Sequence, residues 1–376
     1  MVDLYYPYLV RPDALDVWMD VEVRNRLSWY YQVMNGYRPA KYLICKRVGL
    51  DGDPDLSSMD LDDLWGLHNN LRDEFLSIYK EIRDGETKLD DLSIPKTSFL
   101  DVKIELAYRL LSPCRLCEHM CEVDRLGGRR GFCGLDHVAR VGSAFTHLGE
   151  EAPLVPSGTI FFTGCSLKCV FCQNYDISRD PFNGVTVDAR RLADIASSLY
   201  RKGVRNINYV GGNPDQNLHV IVESLRYMDN NVPLLWNSNM YMTVEALEIL
   251  LDIIDIWLPD FKYGNNECAI RYSRIKRYFD VVSRNHKIVY DYGSDMIIRH
   301  LVMPNHVECC TKKVLDWIAN NIPRVLVNIM GQYRPEYLVV KEPDRFRDIA
   351  RRPTREEMKL AFSYADKLGI VYKPVS

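Results

Sequence analysis

Short β-branched or aromatic runs alternate with amphipathic helical runs from residue 158 onward in this chain of 376 residues. The runs typical of strands are residues 159–162, 207–210, 233–236, 254–258, 296–302 and 325–329. The helical runs are residues 190–201, 218–227, 244–251, 268–285, 312–321 and 354–368. About six βα units predict an α/β fold whose parallel sheet curls into a partial (β/α)6 TIM-like barrel, with functional residues at the carboxyl ends of the strands.

The sequence patterns divide the chain into three parts. Residues 1–100 carry apolar positions at helical spacing, most clearly over residues 61–79, and are predicted to form a helical N-terminal extension. This extension is acidic, with 18 Asp and Glu against 12 Lys and Arg. We expect residues 101–150 to form a small four-cysteine metal-binding segment and residues 151–376 to form the barrel.

Composition and charge exclude several classes of protein. The net charge of −3, with 47% hydrophobic and 26% charged residues, is typical of a globular protein without a nucleic-acid partner. The first six residues lack the basic and apolar regions of a secretory signal. Three acidic residues interrupt the most apolar stretch, residues 246–259, which argues against a membrane span. We therefore expect a cytoplasmic protein that binds neither nucleic acid nor membrane.

Seven of the eleven cysteines fall into two tight groups, which points to metal or redox chemistry in a chain without a secretion signal. The second group, Cys165, Cys169 and Cys172, follows the first predicted barrel strand. Three thiolates on one loop can hold three corners of a 4Fe-4S cluster and leave the fourth iron open. A zinc site usually recruits a fourth Cys or His nearby, and none follows in this loop.

The Cys165-x3-Cys169-x2-Cys172 spacing, with Phe171 before the last cysteine, resembles the signature of the radical S-adenosylmethionine (radical SAM) superfamily. The resemblance implies a 4Fe-4S cluster and SAM as cofactors and a reductant such as ferredoxin or flavodoxin as partner. In that chemistry the reduced cluster passes one electron to the SAM sulfonium, and the 5'-deoxyadenosyl radical abstracts hydrogen from a substrate.

A glycine pair after the second predicted strand resembles a SAM-binding loop of the superfamily. Gly211-Gly212-Asn213-Pro214 corresponds to a Gly-Gly-Glu-Pro loop that takes the SAM ammonium. Because Asn213 offers a neutral carbonyl in place of a carboxylate, we expect anchoring weaker by on the order of 1 kcal/mol. An ordinary turn is the alternative interpretation.

Polar residues at later strand ends supply the remaining candidates for the SAM site. Asn237 and Asn239 follow the third strand, where relatives contact the SAM ribose and carboxylate, but they could equally cap the next helix. Arg299 on the fifth strand resembles an arginine that pairs with the SAM carboxylate, and a structural ion pair with Asp260 is the alternative. Gln332 stands in for a histidine that some relatives place near the ribose. The motifs assign no catalytic residue beyond these contacts.

The first cysteine group precedes the barrel. Its spacing, C-x2-C-x3-C-x11-C, is a strong metal signal because C-x2-C sulfurs chelate one ion and a later cysteine completes the tetrahedron. If the segment is helical, its first three cysteines lie on one face of the helix, which suits a zinc knuckle or a second iron-sulfur cluster. Structural zinc is the favoured interpretation, and an auxiliary iron-sulfur cluster is the alternative. The four residues, named the cysteine quartet below, are Cys114, Cys117, Cys121 and Cys133. His119 and His137 are spare candidate ligands, but surface positions are the favoured interpretation for both.

The other four cysteines carry little signal. Cys45 and Cys268 are predicted to be packed thiols, and the adjacent pair Cys309 and Cys310 is a poor chelator of one ion. We expect none of them to have a functional role.

Several segments together resemble the uncharacterised iron-sulfur branch of the pyruvate formate-lyase activating-enzyme homologues. They are the quartet and residues 147–153, 157–162, 172–175, 263, 299–302 and 332–335, so the likeness covers about residues 110–372. It implies an anaerobic oxidoreductase that abstracts a backbone hydrogen from a glycine of a partner glycyl radical enzyme. Basic residues between 334 and 352 are candidates for docking that partner, with a solvated face as the alternative.

Two other functions compete with the activating-enzyme interpretation. One is a radical SAM enzyme acting on a small molecule or another peptide, with the acidic N-terminal segment as a lid over the carboxyl ends of the strands. The other is an iron-sulfur electron carrier without SAM chemistry.

Overall fold

The computed structural model describes residues 6–50, 52 and 54–376. The predicted lack of a secretory signal rests on the first six residues, of which 1–5 lie outside the described residues. In the described part, the α-helices are α1 (Tyr6–Val10), α2 (Asp13–Asp16), α3 (Val21–Arg26), α4 (Ser28–Met34), α5 (Lys41–Cys45), α6 (Leu61–Asp84), α7 (Phe99–Arg109), α8 (Tyr175–Arg179), α9 (Ala189–Arg201), α10 (Leu218–Ser224), α11 (Val244–Leu251), α12 (Asn266–Ser273), α13 (Tyr278–Asp291), α14 (Lys312–Asn321), α15 (Leu338–Lys341) and α16 (Arg355–Lys367).

One sheet of eight strands forms the centre of the molecule, in the order β3-β1-β2-β4-β5-β6-β7-β8. Six strands, from β2 through β4 to β8, pair in parallel, which confirms the α/β barrel-type fold predicted from the alternating runs. The sequence patterns missed β1 and β3, which add antiparallel strands at the β2 edge. The strands are β1 (Ala139–His147), β2 (Ser157–Phe162), β3 (Val185–Val187), β4 (Asn206–Gly211), β5 (Leu234–Trp236), β6 (Ile256–Trp257), β7 (Asp295–Leu301) and β8 (Leu326–Met330).

Two predicted helical stretches are wrong in detail. The single helix predicted over residues 268–285 is two helices, α12 and α13, because Arg274 and Arg277 adopt left-handed φ angles of 57° and 52° between them. The segment that holds the cysteine quartet is irregular rather than helical, with left-handed residues at Met120 and Glu122. A left-handed residue cannot continue a right-handed helix, so these positions end the helical path.

The N-terminal helices close the barrel floor, which we define as the amino ends of the parallel strands, marked by Asn206, Asp255 and Asp295. The Tyr30 amide donates to Asp295 Oδ2 at 2.7 Å, and the Asn206 amide nitrogen donates to the Tyr30 hydroxyl at 2.9 Å. Asp255 accepts from Trp29 Nε1 at 2.8 Å. The predicted lid over the opposite end is not seen in the described part of this extension, none of whose residues lines the cavity at the carboxyl ends of the strands.

A buried charge cluster ties the N-terminal helices to the barrel. Lys103 on α7 lies 2.6 Å from Asp252, and both side chains are fully buried. Arg72 on α6 pairs with the same carboxylate at 3.1 Å. Burial alone raises the pKa of Asp252, but Lys103 and Arg72 outweigh it and lower the pKa to about 2.

Residues 246–259, the most apolar stretch of the sequence, belong to α11, β6 and their connection, where they pack in the barrel wall. Among the described helices, none has the length and apolar character needed to cross a membrane.

Candidate active site

The loop that follows β2, residues 163–174, carries the three cysteines of the second group and is called the cluster loop below. Cys165 and Cys169 are buried and Cys172 is half-buried. Backbone and hydroxyl donors already point at the sulfurs. Leu167 N lies 3.4 Å from Cys165 Sγ, and Ser273 Oγ lies 2.9 Å from Cys169 Sγ.

The electrostatics of the cluster loop suit a cationic iron centre. Burial, followed by the nearby Cys169 and Cys172 sulfurs, raises the pKa of Cys165 to about 12. A protein does not benefit from three converging thiolates unless a cation compensates them, and iron binds thiolates through this charge. The donor set therefore fits a cluster.

The glycine pair at the end of β4 is required by close backbone contact with the end of β2 and with the cluster loop that follows it. A Cβ on Gly212 would lie 2.2 Å from Gly164 O, and a Cβ on Gly211 would lie 2.2 Å from Phe162 N. Gly211 also has a left-handed φ of 126°. Side chains are excluded here because the β4 end and the cluster loop touch through their backbones.

Three asparagines lie next to the contact between the end of β4 and the cluster loop. Asn213 Oδ1 accepts from the Asn239 amide at 3.1 Å, so part of its acceptor capacity is already used. Asn239 Nδ2 in turn points at Cys165 Sγ at 3.6 Å. Asn237 is 4% exposed, and its Nδ2 has no hydrogen-bond partner among the described residues. A buried donor without a partner costs free energy, so Asn237 is poised to bind a ligand acceptor.

Arg299 on β7 is held by several partners. Its Nε donates to Asp260 Oδ1 at 3.1 Å, its Nη2 donates to Asn237 Oδ1, and its Nη1 lies 3.8 Å from Glu150. Burial lowers the pKa of Arg299, but the carboxylates of Asp260, Glu151 and Glu150 raise it by more. The net pKa therefore lies above its usual value, and the guanidinium stays charged. The structural ion pair with Asp260 thus exists, and it orients a cation at the edge of the cavity.

These residues surround one cavity of about 230 Å³ at the barrel mouth, which we define as the carboxyl ends of the parallel strands. All of the residues predicted to bind cluster or SAM line it, although Gln332 is exposed at the rim. They are Cys165, Cys169, Phe171, Cys172, Gly211, Gly212, Asn213, Asn237, Asn239, Arg299 and Gln332.

Comparison with known proteins identifies the family. Residues 159–318 match the family model for the radical SAM superfamily. A protein of Methanocaldococcus jannaschii, itself described as uncharacterised, is 41% identical over 355 residues, covering 92% of this chain and 99% of that protein. The chain belongs to the radical SAM superfamily. The family implies a 4Fe-4S cluster and SAM as cofactors.

Two more distant proteins are similar to parts of the chain. The 7-carboxy-7-deazaguanine synthase of Methanothermobacter thermautotrophicus is 26% identical over 173 residues, which are 44% of this chain and 70% of that protein. The crystal structure of Streptococcus suis SuiB bound to precursor peptide SuiA aligns with a TM-score of 0.40 and 16% identity. That alignment covers 55% of this chain and 46% of SuiB, so the chain spans about half of the SuiB length.

Arg179, a cavity residue of this radical SAM enzyme, carried too weak a sequence signal to be assigned a cofactor role. Arg179 donates to the carbonyls of Leu167 and Cys169 at 3.1 and 3.3 Å and so fixes the cluster loop. Lys262 pairs with Asp260 at the cavity wall. Arg179 lies on the short helix α8, where a basic residue has many ordinary roles, so only the folded contact reveals it.

The cysteine quartet packs beside the radical SAM cluster loop. Cys114, Cys117 and Cys133 are buried and Cys121 is half-buried. Burial and then the neighbouring Cys133 sulfur raise the pKa of Cys117 well above its usual value. His119 donates from Nε2 to Ser166 O at 2.8 Å, so it links this segment to the cluster loop.

Proposed function

We propose that this radical SAM enzyme activates a glycyl radical enzyme by abstracting a hydrogen atom from a glycine of that partner. The resemblance to the activating-enzyme homologues supports the proposal. The observation that carries it is the position of the N-terminal helices: Tyr30 packs on the barrel floor, and no described residue of the N-terminal extension lines the cavity at the mouth. An uncovered mouth admits a protein loop, whereas a small-molecule enzyme gains from a closed one.

In this proposal Cys165, Cys169 and Cys172 hold the 4Fe-4S cluster, which together with SAM supplies the electron and the 5'-deoxyadenosyl group for hydrogen abstraction. Asn239 orients the loop by donating toward Cys165 Sγ. Arg179 keeps the loop in place through its two backbone carbonyl contacts. A low-potential donor such as ferredoxin or flavodoxin provides the electron.

Each polar residue behind the cluster loop is assigned a different part of SAM to bind. Asn213 retains one carbonyl lone pair for the SAM ammonium, since the other accepts from Asn239 N. The unpartnered Asn237 Nδ2 and the fixed Arg299 guanidinium suit the carboxylate and the ribose. Gly211 and Gly212 bring the β4 end against the cluster loop, so that cluster and SAM contacts come from adjacent backbones.

The rim of the mouth offers contacts for a protein partner. Tyr175 stacks on Tyr337 with ring centroids 4.9 Å apart, and Tyr175 is exposed. Arg334, which follows the cavity residue Tyr333, is also exposed and is paired with Glu336 at 3.2 Å. Aromatic and arginine side chains are the types enriched in protein interfaces.

The test uses a glycyl radical enzyme encoded in the same genome, produced with α-deuterated glycine. Anaerobically reconstituted enzyme, SAM and dithionite are added, and 5'-deoxyadenosine is examined by mass spectrometry. We expect deuterium in 5'-deoxyadenosine and a glycyl radical signal by electron paramagnetic resonance. Cys169→Ala serves as the inactive control, and Cys45→Ser as the control for loss of an unrelated buried cysteine.

Two results would overturn this assignment. Unlabelled 5'-deoxyadenosine without a glycyl radical, for every such partner in the genome, means that the hydrogen comes from another peptide or a small molecule. The absence of any glycyl radical enzyme gene in the genome has the same consequence.

We further propose that the cysteine quartet holds a second iron-sulfur cluster rather than the zinc favoured by the sequence. Four thiolates on zinc at 2.3 Å lie about 3.8 Å from one another. Among the described residues, no three of the quartet sulfurs all lie within 4.8 Å of one another, so they are spaced more widely than a single zinc ion requires. A cubane spreads its ligands more widely because each thiolate binds a different iron.

Iron and Mössbauer analysis of Cys117→Ser against the wild type tests the second cluster. We expect the variant to lose about half of the iron and to keep the cluster of the radical SAM motif, as two independent Cys-ligated clusters require. Equal iron in both proteins, with zinc lost only from the variant, would restore the zinc interpretation.

A further inference from the structure

A second group of metal-binding side chains lies outside the cavity. Cys268, His306 and Cys309, called the cysteine-histidine trio below, have ligand atoms that all lie within 4.8 Å of one another. The sequence predicted no role for these cysteines, because Cys268 is about forty residues from the other two and no spacing motif joins them. The fold brings α12 against the turn that follows β7.

The imidazole of His306 is oriented for metal binding. Its Nδ1 lies 2.7 Å from Pro304 O, and a carbonyl can only accept, so Nδ1 carries the hydrogen. The Nε2 lone pair is therefore the one that faces ligands. A metal-binding histidine almost always has such a backbone or carboxylate partner on its other nitrogen. The ring is 6% exposed and packs against Tyr272, with centroids 5.2 Å apart.

Asn265 connects the two cysteines of the trio. Its Oδ1 accepts from the Cys268 amide at 2.8 Å and caps α12, while its Nδ2 donates to Cys309 O at 2.9 Å. Cys268 thus sits in the first turn of a helix, where the helix dipole favours a thiolate. One side chain fixes the spacing between both sulfur-bearing segments.

The turn that presents His306 and Cys309 is held in an unusual conformation. Asn305 has a left-handed φ of 65°, and the five residues Val307–Thr311 form a π-helix. Asn305 is anchored by its amide to Glu357 Oε1 at 2.6 Å and by Nδ2 to Asp348 O at 2.7 Å. Strained backbone and π-helical turns recur at functional sites, and here they place the ligands.

We propose that Cys268, His306 and Cys309 bind one Zn²⁺ ion, with a solvent molecule in the fourth position. Two thiolates and an imidazole suit a borderline-soft tetrahedral ion and not an ion that prefers oxygen ligands. Binding releases the thiol protons to solvent. Cys310 Sγ lies 3.9 Å from Cys309 Sγ but stands outside the trio.

The zinc ion would stabilise α12, the helix that holds the cluster loop through backbone hydrogen bonds. Lys168 N donates to Ser273 O at 2.9 Å, and Val170 N donates to Tyr272 O at 2.8 Å, both at the carboxyl end of α12. The trio fixes the other end of the same helix. This inference concerns a site separate from the SAM cavity and stands whether or not the enzyme activates a glycyl radical partner.

The test measures zinc and iron per chain in the reconstituted full-length enzyme by mass spectrometry. We expect Cys268→Ser and Cys309→Ser to contain about one zinc fewer per chain than the wild type, with unchanged iron, since two of three ligands cannot retain the ion. His306→Cys, which keeps a metal-binding side chain, is expected to retain the zinc. Cys45→Ser is the matched control, because Cys45 is buried and donates to Asp252 O at 3.2 Å, a bond that serine can keep.

Zinc absorption spectroscopy of the wild type decides the case if the variants fold poorly. Two sulfur and two nitrogen or oxygen neighbours at zinc support the proposal. Four sulfur neighbours, or no bound zinc at all, overturn it. Equal zinc in the wild type and in well-folded Cys268→Ser also overturns it and leaves the trio as thiols and an imidazole without metal.

Discussion

The two ends of the barrel are built from different chemistry. At the floor, the chain itself satisfies the buried Asp255 carboxylate, which accepts from Trp29, Lys41 and Leu234 at 2.8 to 3.0 Å. At the mouth, Asn237 keeps a buried donor without a partner in the described chain, and three thiols line one cavity. The Asp255 carboxylate at the floor thus finds its hydrogen-bond donors within the chain, whereas the Asn237 amide and the thiols at the mouth remain available to bind ligands.

This difference separates stability from function along the strands. A satisfied polar network stabilises the fold, whereas unsatisfied groups cost free energy and are kept where they bind something. Substitutions at the floor are therefore expected to change the free energy of unfolding, and substitutions at the mouth to change cofactor binding.

The largest contrast is expected between two glycines. Gly212→Ala places a methyl group 2.2 Å from Gly164 O, so the cluster loop must move, and we expect iron content and SAM cleavage to fall at least about tenfold. Gly66 on α6 has open space around it, and Gly66→Ala is expected to stabilise the protein by about 0.5–1 kcal/mol. Iron analysis and thermal melts check both. Full cluster content in Gly212→Ala would contradict the tight contact.

The buried ion cluster behind the floor gives the next largest effect. Lys103→Met leaves the Asp252 carboxylate with Arg72 as its remaining cation, and we expect a loss of about 3 kcal/mol in the free energy of unfolding. Urea unfolding measures this loss. SAM cleavage per folded molecule should stay unchanged, and a fall in that activity would break the separation of the two ends.

A pH effect comes from Asp295 at the floor. Burial raises the pKa of Asp295 to about 7, above its value in the unfolded chain, so the folded protein holds a proton that the unfolded one releases. Stability should therefore fall as the pH rises from about 4 to about 7, by more than about 1 kcal/mol. Asp295→Asn, which keeps an acceptor for Tyr30 N, should make this decline shallower in a series of thermal melts. A smaller decline should remain, because burial also raises the pKa of Asp215 to about 6. An unchanged slope would show that Asp295 is ionised in the fold.

The smallest effect is expected for Tyr30→Phe. The Tyr30 hydroxyl accepts from Asn206 Nδ2 at 2.9 Å, but that nitrogen also donates to Leu154 O at 2.9 Å. Because Asn206 keeps a partner, we expect a loss of only about 1 kcal/mol in denaturant unfolding. A loss several times larger would mean that the hydroxyl organises more of the floor than its contacts with Asn206 Nδ2 and, at 3.3 Å, Pro153 O indicate.

Much of the barrel was predictable because the spacing of apolar residues along the sequence indicates which residues are buried. The six parallel strands follow from their apolar runs, but β1 and β3 at the sheet edge alternate weakly with exposure and were missed. The cluster motif was readable because its three cysteines share one loop. The trio was not, since Cys268 meets His306 and Cys309 only through the packing of α12 on the turn after β7. The position of the N-terminal helices could not be predicted from the sequence either, because their acidic charge does not indicate which end of the barrel they cover.

The central claim is that the mouth binds a cluster and SAM for reductive cleavage. The direct measurement is 5'-deoxyadenosine formed from SAM and dithionite by anaerobically reconstituted wild-type enzyme, compared with Cys169→Ala. We predict formation by the wild type and by Cys45→Ser, and none above background from Cys169→Ala. A wild type with full iron content that forms no more 5'-deoxyadenosine than Cys169→Ala would contradict the account and favour an iron-sulfur electron carrier.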